Sequence, residues 1–81
     1  MSDAQFLAAV MRGLMVEFAA WIAMRPRTYA EAMEAWGTHC PGLPVWEDAR
    51  DQGLVQIVPR GRLADAEVSL TEKGRALAAL A

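Results

Sequence analysis

The chain is poor in the residues that build covalent or metal-held frameworks. It has 81 residues and one cysteine, Cys40, so no disulfide can close within it. That fits a reducing, cytoplasmic setting in which Cys40 is an ordinary part-buried thiol. It also has one histidine, His39, directly beside Cys40. Zinc takes about four ligands at suitable spacing, and no second Cys or His exists to complete a set. Adjacent side chains rarely aim at each other, so His39 and Cys40 do not suggest a nucleophile pair. No glycine-rich phosphate loop is present. Gly13, Gly37, Gly42, Gly53, Gly61 and Gly74 each stand alone as packing or turn residues. No catalytic residue, cofactor or metal is expected.

An excess of positive charge is also missing. Eight basic residues stand against ten acidic ones, a net charge of −2. Domains that wrap nucleic acid are usually basic overall, so any such contact here must come from a local patch. There is no internal repeat, linker or low-complexity tract. The stretch from Phe6 to Met24 is apolar, but Asp3 stands where a signal peptide wants positive charge. Arg12 and Glu17 interrupt the run, each costing ~2–3 kcal/mol at a membrane centre. A buried helix and no membrane partner are the expectation.

What is present is apolar surface in regular spacing. Hydrophobic residues make up 54% and charged residues 22%, which suits one small folded domain. Leu7, Met11, Leu14, Phe18, Trp21 and Ile22 recur at three and four, predicting a first helix over 4–24 with that face inward. Arg25-Pro26 ends it, because the residue before proline avoids helical angles. The opposite face carries Ala9, Gly13, Val16, Ala20 and Ala23. Small side chains let another helix approach closely, so this face is the expected contact of a homodimer. The alternative is a surface rich in alanine because alanine favours helix.

Thr28-Tyr-Ala-Glu31 spells a capping box and opens a second helix over 28–36, with Tyr29, Ala32, Met33 and Trp36 inward and Gly37 as its stop. A third helix is expected over 43–52, with Pro44 at its first position, Val45, Trp46 and Ala49 inward, and Gly53 ending it. Alternation predicts strands over 54–59 and 66–70, joined through Arg60-Gly-Arg-Leu-Ala64. Thr71 caps a last helix over 72–80. The expected fold class is α+β: a three-helix core, a two-stranded antiparallel hairpin and a short C-terminal helix. The hairpin should roof Trp21, Trp36 and Trp46 with Val55, Ile57, Val68 and Leu70.

Asp51-Gln-Gly-Leu-Val55 followed by Val68-Ser-Leu-Thr-Glu-Lys-Gly-Arg-Ala-Leu77 resembles the winged helix-turn-helix superfamily, in particular regulators of the multiple-antibiotic-resistance type. The resemblance covers roughly residues 28–80. It implies a winged-helix fold and sequence-specific binding of duplex DNA, with the third helix in the major groove and the wing on backbone or minor groove. The residues that could carry this are Arg60 and Arg62 at the wing, Arg25 and Arg27 beside it, Thr38 and His39 in the turn, and Arg50 on the third helix. That helix also exposes Glu47, Asp48 and Asp51, which repel phosphate, and Glu47 has the spacing to pair with Arg50. Two functions therefore stay open. One is a transcription regulator binding duplex DNA weakly through its wing. The other is an interaction module of the same fold that binds protein and not DNA. The charge on the third helix favours the second and the fold favours the first, and DNA binding ranks marginally ahead.

Overall fold

The computed structural model describes residues 2–38 and 41–81. His39 and Cys40, with the roles expected of them, lie outside the described residues.

Helix α1 runs Asp3–Met24. Ser2 caps it: its hydroxyl accepts from the Gln5 amide at 3.2 Å, and the Gln5 side chain accepts from the Ser2 amide at 3.1 Å. Arg25 is extended (φ −168°, ψ 156°) because Pro26 follows. Met15, Phe18, Ala19 and Ile22 form the buried face. Leu7, expected inward, is 60% exposed. Its spacing is right, but the rest of the fold reaches along α1 only as far as Ala8 and Met11.

Strand β1, Arg27–Thr28, was not foreseen from the pattern. Two residues cannot show a period of two. It pairs antiparallel with β3, Glu67–Leu70, placing Arg27 opposite Val68. Strand β2, Val55–Val58, pairs with the other edge of β3, with Ile57 opposite Val68. The sheet is thus three-stranded in the order β1-β3-β2, not a two-stranded hairpin. Val68 lies at its centre and is fully buried.

Helix α2, Tyr29–Ala32, starts at the capping box read from the sequence. Glu31 N–H donates to the Thr28 hydroxyl at 3.1 Å, and Thr28 N–H donates to the Glu31 carboxylate at 3.0 Å. From Met33 to Gly37 the helix widens into a π-helical turn. Helix α3 is Gly42–Asp51, so Pro44 stands at the third helical position rather than the first. A first-turn amide has no intrahelical acceptor, so the missing N–H is tolerated there as well. A side chain on Gly42 would run into the Trp36 carbonyl, which fixes how closely α3 follows the π turn.

Gly53 ends the α3 segment with φ +70°, a conformation glycine adopts without strain. The β2–β3 connection holds a 3₁₀ turn over Leu63–Asp65. Helix α4, Glu72–Ala78, is capped by Thr71, whose hydroxyl accepts from Gly74 N–H at 3.2 Å and donates to the Gly53 carbonyl. One threonine thereby joins the end of α3 to the start of α4.

The architecture is α+β: four helices around a three-stranded antiparallel sheet. Phe18 sits at the centre of the core, edge-on to Trp36 at 5.1 Å and to Trp46 at 6.0 Å. Tyr29 meets Trp46 edge-on at 5.8 Å. Such contacts add about 0.5–1.5 kcal/mol each beyond burial. Val55, Val68 and Leu70 of the sheet close the same cluster. Trp46 is buried, while Trp21 and Trp36 remain partly open.

Candidate interaction surface

The arginines singled out from the sequence divide into three situations. Arg27 does not belong to a surface cluster. It is only 8% exposed, because its place in β1 turns it back under α1. Its Nη2 and Nε donate to the Trp21 carbonyl at 2.7 and 3.2 Å, and its guanidinium lies 4.0 Å from the Trp21 ring centroid. It closes the C-terminal end of α1, whose last turn holds no basic residue of its own.

Arg25, Arg60 and Arg62 are exposed, and each meets an acid. Arg25 pairs with Glu31 at 2.6 Å, Arg62 with Asp65 at 3.2 Å and Arg60 with Glu67 at 3.6 Å. The Arg25 pair is bidentate, with both guanidinium nitrogens on Glu31. Arg25 and the Thr28 backbone amide together lower the Glu31 pKa to about 2, the arginine being the larger cause. Arg25, Arg60, Glu31, Asp65 and Glu67 all line one shallow groove between β1 and the β2–β3 connection. The fold does bring Arg25 and Arg60 together, but it brings their acids with them.

Arg50 is exposed on α3 and leans over the Trp46 ring at 5.7 Å. The Glu47–Arg50 pair that the spacing allows is absent among the described residues. Glu47, Asp48 and Asp51 are all exposed. Thr38 is exposed just after the π turn.

The small-residue face of α1 points to solvent. Ala9, Gly13 and Ala23 are exposed, and Val16 and Ala20 are half-buried. Gly13 has nothing within 4 Å of where a Cβ would stand.

Two features escaped sequence reasoning. The first is the acid partner of each arginine in the β2–β3 connection. Arg62 and Asp65 stand three apart, a spacing that could have suggested the pair, but Arg60 meets Glu67 only through the fold of the hairpin. The second is a groove of about 350 Å³ between α1, α3 and α4. Met11, Met15, Leu77 and Leu80 form its apolar wall, and Arg12 and Asp48 stand among its lining residues.

Among the described residues no group of three or more His, Cys, Asp or Glu gathers as a metal site. α1 is long and apolar enough to cross a membrane by length and composition, yet its buried face forms one wall of the core. No family model, curated protein or solved structure matches the chain.

Proposed function

We propose that this chain is a winged-helix interaction module that binds a protein carrying a basic segment and does not read duplex DNA. The order of helices and strands supports the winged-helix reading, with β2 and β3 as the wing and α3 in the position of the recognition helix. One observation carries the choice of partner. Each exposed arginine at the wing and its flank is already held by a carboxylate, so phosphate would meet an acid wherever it met an arginine. α3 strengthens the case, since Glu47, Asp48 and Asp51 are exposed beside a single arginine that rests on Trp46. A basic partner segment meets no such repulsion.

The convergence of Arg25 and Arg60 on one groove supports a second reading, weak contact of the wing with a DNA backbone. Fluorescence anisotropy with a labelled mixed-sequence duplex at low salt separates the two. The first reading expects no saturable binding, and expects Glu47→Lys with Asp51→Lys to abolish capture of the partner that cross-linking maps onto α3. Duplex binding that weakens steeply with salt and disappears in Arg60→Ala with Arg62→Ala would establish the second reading instead.

A further inference from the structure

We draw no further inference here: the strongest candidate, the apolar groove between α1, α3 and α4, is lined by both Arg12 and Asp48, so its charge selects no occupant and nothing in the structure shows what covers it.

Discussion

Arg27 and Trp21 form one unit: the guanidinium lies over the indole ring and donates two hydrogen bonds to the carbonyl of the same residue. Arg27 also belongs to β1, opposite Val68 at the centre of the sheet. The pair therefore ties the end of α1 to the sheet through a single side chain. It supplies donors to a helix terminus whose last carbonyls have no intrahelical partner.

Removing that side chain should be costly. Arg27→Ala loses two charge-assisted hydrogen bonds and the ring contact, and leaves a carbonyl short of donors in a site closed to water. The expected destabilisation is about 2–3 kcal/mol in chemical denaturation. Arg27→Lys should recover only part of it, since an ammonium cannot present the planar fork. Arg25→Ala, which opens a solvent-facing ion pair, should cost far less. If the Arg25 and Arg27 variants lose stability equally, the Arg27–Trp21 clamp is not what holds α1 to the sheet.

The Glu31 carboxyl gives a pH signature. Its pKa falls to about 2 in the folded chain from an ordinary value of 4.5. A lowered folded pKa means that the ionised form stabilises the fold. The contribution is complete above the unfolded value and disappears as pH falls from 4.5 towards 2. Wild type should therefore be more stable than Glu31→Gln at pH 7, with the gap narrowing through this window and closed at its lower end. Thermal unfolding of both proteins at a series of pH values measures it. A gap that stays constant down to pH 2 would show that Glu31 acts without its charge.

The legibility of this chain in its sequence follows the range of the signal. Thr28-Tyr-Ala-Glu31 and Thr71 were readable as caps because a cap is made within four residues. The alternation of Ala66, Val68 and Leu70 was readable because one face of a strand repeats every second residue. β1 was not, since a two-residue strand has no pattern and exists only because β3 offers it an edge. The exposure of Leu7 was also hidden. Periodicity says which side of a helix is apolar, but not how far along the helix other elements reach. The candidate surface suffered most. Arg60, Arg62 and Arg25 read as free charge, while their partners Glu67, Asp65 and Glu31 were fixed by the fold of a hairpin and the angle between two elements. Arg27 read as one of a basic pair with Arg25, yet it is buried against Trp21 while Arg25 is exposed and held by Glu31.

Three glycines should respond to alanine with opposite signs. Gly13 lies in an exposed helix interior with open space around its Cβ position, so Gly13→Ala should stabilise by about 0.5–1 kcal/mol through helix propensity. Gly74 and Gly42 are also helical, but a Cβ at either would collide with a backbone carbonyl, that of Leu54 or of Trp36. Backbone cannot turn aside as a flexible side chain can. Gly74→Ala and Gly42→Ala should therefore each destabilise by about 1–3 kcal/mol, as overpacking does. Denaturant midpoints for the three variants decide it. A stabilised Gly74→Ala would mean that α4 does not approach Leu54 as closely as the structure has it.

Removing the acids beside Arg60 and Arg62 tests whether they keep duplex DNA away. Asp65→Asn with Glu67→Gln leaves Arg60 and Arg62 in place and takes away the carboxylates that hold them. Two freed guanidinium groups can then meet two phosphates. Non-specific duplex binding should appear at low salt, with log K falling against log salt at a slope of about −2. Wild type should show no such binding in the same titration. Asp65→Asn alone should give a weaker response, since Arg60 stays paired. If the double variant remains as inert as wild type, the ion pairs are not the barrier. The cause would then lie in α3, where Glu47, Asp48 and Asp51 are exposed. Adding Glu47→Gln and Asp51→Asn to the double variant would show it by restoring the binding.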